Sequence, residues 1–318
     1  SYTINSYAIL YLAGEINMVD NNMIQGVPSP AQPAGNPLAK HLRQPKIYIR
    51  LPSKGNYWPK NAINMPENGE LPVYAMTAKD EITFKTPDAL LNGQATVDVI
   101  QSCIPDIKDA WQAPSIDIDT MLVAIRMATY GQMLDMSGKI PGTEIQKDWQ
   151  MNLQNVLDSY YAQEFVDTFK IDGFTIQMKP VSYKTMTSQT VKAFEEQRIF
   201  AIVNDNDTNP AEKLQKFQQS FKNLTELNIS VIIDSVVAIQ PDGDPEAVVN
   251  PIHIREFLEG AESSIYNQIA DHITKMKDKF TQKPVTLEAT AEEMEQGAPK
   301  SYEMPIVFDQ SNFFASGS

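Results

Sequence analysis

Phe169-Lys-Ile171 and Phe174-Thr-Ile176-Gln-Met178 alternate on either side of Asp172-Gly173, which commits this stretch to an antiparallel hairpin. Asp-Gly accepts the positive φ angles of a two-residue turn whose twist matches its flanking strands. Other short runs carry the same β-rich character. Ile47–Leu51 ends at Pro52-Ser-Lys-Gly55, and Leu71–Met76 comes next as a second strand. Val285-Thr-Leu287 is expected to pair with Met304-Pro-Ile306-Val-Phe308 in a closing hairpin.

Between these runs the spacing changes to the helical period. Thr77, followed three residues later by Asp80 and then Glu81, marks a helix start in which the hydroxyl caps free N–H groups. Asp88–Ile104 reads as helical with an interruption at Asn92-Gly93. Ile118, Met121, Leu122, Ile125 and Ala128 predict an amphipathic helix over 116–130, ended by Gly131. Met186-Thr187-Ser188 leads into a helix reaching about Ile202. Leu214, Phe217, Phe221 and Leu224 mark another after Asn209-Pro210. Ile229–Ile239 fits either a buried strand or a continuing helix, and its Val and Ile content favours the strand. Asp242-Gly243-Asp244-Pro245 is a turn, and Ile254, Phe257, Leu258, Ile265, Ile269 and Ile273 give one or two more helices.

The expected class is therefore α+β, with short antiparallel sheets and hairpins beside several amphipathic helices. Pro72-Val73-Tyr74-Ala-Met76-Thr77 has a counterpart in Pro180-Val181-Ser-Tyr183 with Met186-Thr187. Two similar strand–helix units and a chance match remain equally open on so short a string.

Four segments are expected. Residues 1–37 form an arm: Gly26, Pro28, Pro30, Pro33, Gly35 and Pro37 leave 18–37 with too little apolar surface to offset its ordering entropy. Within the arm, residues 1–17 share no pattern with the rest of the chain. Gly14-Glu15-Ile16-Asn17-Met18 could be encoded by a purine-rich ribosome-binding site, a spacer and a start codon, so translation is expected to begin at Met18. Residues 38–160 form an N-terminal α+β domain, 161–308 a C-terminal one, and 309–318 a tail peptide. Tyr7–Ala13 is apolar but lacks a basic leader, so no signal peptide is expected.

Charge and composition narrow the function. Twenty-six Lys and Arg stand against 40 Asp and Glu among 318 residues, a net charge of −14. That balance disfavours nucleic acid and anionic membranes as partners. No apolar run reaches the roughly 18–20 residues of a membrane span. A single cysteine, Cys103, excludes an internal disulfide, and its spacing from Val99 and Ile100 places it in a core. His41, His253 and His272 do not form a zincin motif. Asp80-Glu81 and Glu195-Glu196 are adjacent carboxylates, which point apart on a helix; Asp80-Glu81 suits a helix N-terminus, and Glu195 has the spacing to pair with Arg198. Asn204–Asn209 opens like a calcium loop but has Pro210 and Lys216 where glycine and glutamate are needed. Phosphate-loop, dinucleotide and nucleophile-elbow glycine patterns are missing. The reading is a protein that is not an enzyme, with no cofactor, metal or small-molecule substrate.

The tail carries the candidate partner-binding residues. Phe313 and Phe314, preceded by Phe308, lie near the carboxyl end, where chains usually fray. Burying one Phe is worth about 1.5–3 kcal/mol, so the pair either folds back or inserts into a partner.

A series of short strings resembles the baseplate hub subunit family of T-even-type tailed bacteriophages. They include Asn36–Lys40, Arg43–Tyr48, Leu51–Gly55, Met76–Glu81, Leu90–Gly93, Ala128–Gly131, Glu195–Arg198, Leu224–Asn228 and Phe308–Phe314. The resemblance implies a structural or assembly subunit of a contractile tail, partnered by other tail and baseplate hub proteins, assembled in host cytoplasm and located in the virion. A transient assembly factor absent from the finished particle is the alternative. A cell-wall hydrolase of the tail is a third reading, which needs a carboxylate pair or metal that the sequence does not supply.

Overall fold

A computed structural model describes residues 42–85, 93–203 and 210–306. The fold is α+β. Strands β1 (Pro45–Ile49) and β2 (Leu71–Tyr74) pair antiparallel, with Ile47 opposite Val73 and Ile49 opposite Leu71. Helix α1 (Ala78–Phe84) then starts at the expected cap. The Thr77 hydroxyl accepts from the Asp80 N–H at 3.2 Å, while the Asp80 carboxylate accepts from the Thr77 N–H at 2.7 Å. Helix α2 (Gln94–Cys103) begins after Gly93, whose φ of +78° suits glycine. The interruption expected at Asn92-Gly93 thus lies at a helix start, and 86–92 fall outside the described residues.

Arg43 fastens the approach to β1 onto these helices. Its guanidinium donates to the Ala75 carbonyl at 2.7 Å, to the Ser102 hydroxyl at 2.9 Å and to the Ser102 carbonyl. It also lies 3.5 Å from buried Asp80. Asp80 therefore serves two ends: it caps α1 and ties it through Ser102 to α2.

Helix α3 (Ser115–Tyr130) ends at Gly131, as its sequence predicts. The expectation of an amphipathic helix is corrected here. Val123, Ala124 and Met127 are buried as well as Ile118, Met121, Leu122 and Ile125, and so are Asp117, Thr120 and Arg126. A helix buried over most of its circumference, with Asp119 its exposed position, is the axis of a core rather than its lid. The largest core gathers β1, β2, α2, α3 and α4 (Leu153–Tyr161) about it.

One face of α3 is polar and still sealed. Asp117 accepts from the Ser53 N–H at 2.8 Å, the Ser53 hydroxyl at 2.5 Å and the Trp58 indole N–H at 2.8 Å. These bonds grip both ends of a tight loop in which Lys54 (φ 55°) and Tyr57 (φ 68°) adopt left-handed backbone. Such conformations cost non-glycine residues of order 1 kcal/mol each and persist where the surroundings hold them.

Burial pushes the Asp117 carboxyl up from 3.8 to about 6, although its three donors favour the charged form. The folded state thus binds this proton at higher pH than the unfolded chain. Stability contributed by Asp117 should rise as pH falls through 6, and level off below the unfolded value of 3.8. The Trp58 indole resonance is expected to titrate with a midpoint near 6, and Asp117→Asn to remove that step from the stability profile. A Trp58 signal that stays put across this range contradicts the assignment.

The remaining strands form three small antiparallel sheets. Strand β3 (Met133–Lys139) pairs with β4 (Gln146–Asn152). The Asp172-Gly173 hairpin forms as expected, β5 (Thr168–Ile171) against β6 (Phe174–Met178). Strand β7 (Val236–Pro241) completes that sheet. Helices α5 (Tyr183–Val203) and α6 (Pro210–Ser235) separate β6 from β7. Asn250 caps α7 (Pro251–Gly260), and α7 and α8 (Ser263–Lys279) both pack against α6 over the second core, with Ile232, Ile239, Ile254 and Ile269 at its centre. A third core joins Ile140 to Tyr302 and Met304 of the last hairpin, β8 (Val285–Glu288) with β9 (Ser301–Met304) around α9 (Ala291–Glu295).

Three local expectations are corrected. Ile229–Ser235 continues α6, and the strand begins only at Val236. Once α6 is formed each added residue gains a hydrogen bond, and Ile232 and Ile233 still reach the second core, so β propensity loses. The last strand is Ser301–Met304, since Tyr302 and Met304 face the third core and Pro305 cannot donate to the ladder. Helix α5 starts at Tyr183, where the Ser182 hydroxyl accepts from the Thr185 N–H at 3.2 Å. Thr187 is therefore inside a helix, whereas Thr77 caps one, and the two Met-Thr strings have different roles.

Candidate interaction surface

Helices α5 and α6 run antiparallel, and polar side chains join them at several described positions. Glu196 of α5 accepts from the Ser220 hydroxyl at 2.5 Å and from the Asn223 amide at 2.7 Å. Nearer the body, the Gln189 amide donates to Asp234 at 3.3 Å. Ser220 is 1% exposed, a small residue that lets the helices approach closely. Lys216 with Glu212, and Lys222 with Glu226, form solvated pairs one turn apart, worth only tenths of a kcal/mol each. The expected Glu195–Arg198 ion pair is not formed among the described residues.

Four described apolar side chains of this pair are exposed. Leu214 is 58% exposed, Phe217 47% and Phe221 62%, spaced three and four apart so that they lie along one side of α6. Phe194 of α5 is 57% exposed. None of the three cores takes a described residue from 187–228. Scattered exposed Leu or Phe side chains are ordinary; three on one side of a helix outside the cores form an apolar stripe. Their spacing is legible in the sequence, but a stripe that faces a core and one that faces solvent have the same period. Sequence alone therefore assigns no partner role to it.

The other residues singled out from the sequence fall in different places. Phe308, Phe313 and Phe314 lie outside the described residues, as do Asn204–Asn209 and the 1–37 arm. Cys103 is fully buried, and burial pushes its thiol up to about 12. His272 stacks on Phe169, ring centroids 3.7 Å apart, with Nε2 3.2 Å from the Val166 carbonyl. A cavity of about 190 Å³ between α3, α5, α6 and α8 contains one carboxylate, Asp119, among Phe165, Met178, Met186 and Phe280. Among the described residues, no group of three His, Cys, Asp or Glu side chains could hold a metal. No described helix is long and apolar enough to cross a membrane.

These features define an α+β protein with an apolar stripe exposed on one helix of a polar-linked pair. The chain belongs to the family described as T4 bacteriophage base plate protein, which matches over residues 58–296. It is thus a T4-type phage baseplate protein, and that family is consistent with a structural role among other tail proteins. Searches of curated proteins and of solved structures returned no match.

Proposed function

We propose that this chain is a structural or assembly subunit of the baseplate hub in a contractile phage tail, working through protein–protein contacts and without catalysis. The observation that carries the reading is the exposed Leu214–Phe217–Phe221 stripe on α6 in a member of a baseplate family. The occupant we assign to it is a different tail protein with an apolar face. A second copy would bring another −14 charge alongside the first, and like charge of that size favours separation. The division into domains 38–160 and 161–308 belongs to this proposal; it is supported by the largest core lying mostly before residue 160 and the second core after it.

The tail from Asp309 to Ser318, with Phe313 and Phe314, is a second grip in the same proposal. Removing it is expected to lower the yield of finished tails while the isolated protein still unfolds cooperatively; unchanged yield counts against it. Mass spectrometry of purified particles decides between a resident subunit and a departing assembly factor. The resident role predicts the chain in every intact baseplate, and its absence there assigns the assembly role. Its absence from baseplate precursors as well would refute both.

A further inference from the structure

We propose that the cavity between α3, α5, α6 and α8 receives an arginine side chain from a neighbouring tail protein, with Asp119 accepting from its guanidinium. That the arginine comes from a tail protein rests on the function proposed above; the preference for a guanidinium rests on this cavity alone. At about 190 Å³ the space suits one large side chain rather than a drug-sized molecule, whose pockets start at about 300 Å³.

Asp119 is the exposed position of an otherwise buried stretch of α3, and it forms part of the wall of this cavity. Two residues earlier, Asp117 has three donors. Among the described residues no hydrogen bond or ion pair reaches Asp119. Lys179 and Lys277 belong to the same lining, yet both are exposed and neither pairs with it. Burial alone pushes the Asp119 carboxyl up from 3.8 to about 6, where a lysine in contact would hold it down. Tyr160 also senses it: burial, and then the Asp119 charge, keep that phenol protonated. Asp119 is thus accessible, partly desolvated and without a donor.

The rest of the wall selects what brings the donor. Ile118, Met178, Val231 and Ile273 are apolar, and Phe165 and Phe280 add aromatic surface with ring centroids 6.4 Å apart. A purely aliphatic or aromatic insert would strip water from Asp119 and return nothing. An ammonium donates, but it is compact and strongly hydrated. A guanidinium on an aliphatic stem meets each requirement. Its donors match both carboxylate oxygens in one plane, its faces favour aromatic rings, and its stem favours the aliphatic side. The net charge of −14 draws such a cation towards the chain.

Titrating the full-length protein with butylguanidinium, its neutral isostere butylurea and pentanoate, followed through the Met178 and Met186 methyl resonances, tests this. Saturable butylguanidinium binding is expected at about pH 8, about tenfold tighter than butylurea. About tenfold of that affinity should be lost by about pH 5, where the Asp119 carboxyl is mostly neutral. Asp117 titrates in the same range, so the decisive variant is Asp119→Asn, which is expected to abolish both the pH dependence and the preference. It breaks no bond among the described residues and is expected to fold. Equal binding of butylguanidinium and butylurea overturns the proposal. So does pentanoate binding tightest, which would make Lys179 and Lys277 the recognising groups. Methyl resonances unmoved by all three compounds overturn it as well, and leave the α6 stripe and the baseplate role standing. In phage, Asp119→Asn is expected to lower the yield of complete baseplates. Unchanged yield from a variant that has lost butylguanidinium binding overturns the tail-protein partner.

Discussion

Asp117→Ala is expected to lower the unfolding free energy by about 3 kcal/mol, read as a shift in urea midpoint. Three donors on Ser53 and Trp58 would lose their acceptor inside a sealed core. Removing a buried charge offsets part of that loss, which is why the figure is not larger. The effect should be local in origin. Ser53 and Trp58 bracket the left-handed Lys54 and Tyr57, so the loop is expected to relax first and its amides to exchange faster. Asp117→Asn keeps one accepting oxygen, but its amide group must face either the Ser53 N–H or the Trp58 indole, so it is expected to fall between wild type and alanine. An alanine variant as stable as wild type would mean the network only fills space.

Leu214→Glu with Phe221→Glu is expected to block assembly while leaving the purified protein folded. Both side chains are more than half exposed, so charge there costs the isolated molecule little. Anchors of this kind carry about 2 kcal/mol or more each in an interface, so the pair should weaken partner affinity about a thousandfold. Thermal unfolding of the variant and the yield of completed baseplates separate the two outcomes. Wild-type yields from a folded variant would remove the α6 stripe from the account. A variant that unfolds early would show that the stripe is part of the core.

Elements whose cause is local are legible in the sequence. The Thr77 cap, the Asp172-Gly173 turn and the Gly131 stop each depend on residues within a turn of one another. What could not be read depends on distant partners. Asp117 sits on a helix whose period is that of any amphipathic helix; only Ser53 and Trp58, about 60 positions away, show why it is buried. Ile229–Ser235 has strand-like composition, yet the helix already running from Pro210 decides its conformation. Glu196 reads in sequence as half of a pair with Glu195, while its partners Ser220 and Asn223 come from the facing helix. The cavity beside Asp119 draws on residues 115–119, 165, 178–189, 231–235 and 273–281, which nothing in their order connects.

Cross-linking of assembled baseplates through lysine, followed by mass spectrometry, tests the contact surface most directly. Lys216 and Lys222 flank the stripe and are themselves exposed, so they report on whatever covers it. Cross-links from both to a different tail protein are the predicted result. Links from them only to this chain, in the same molecule or in a second copy, would contradict the claim that α6 docks on another protein of the baseplate.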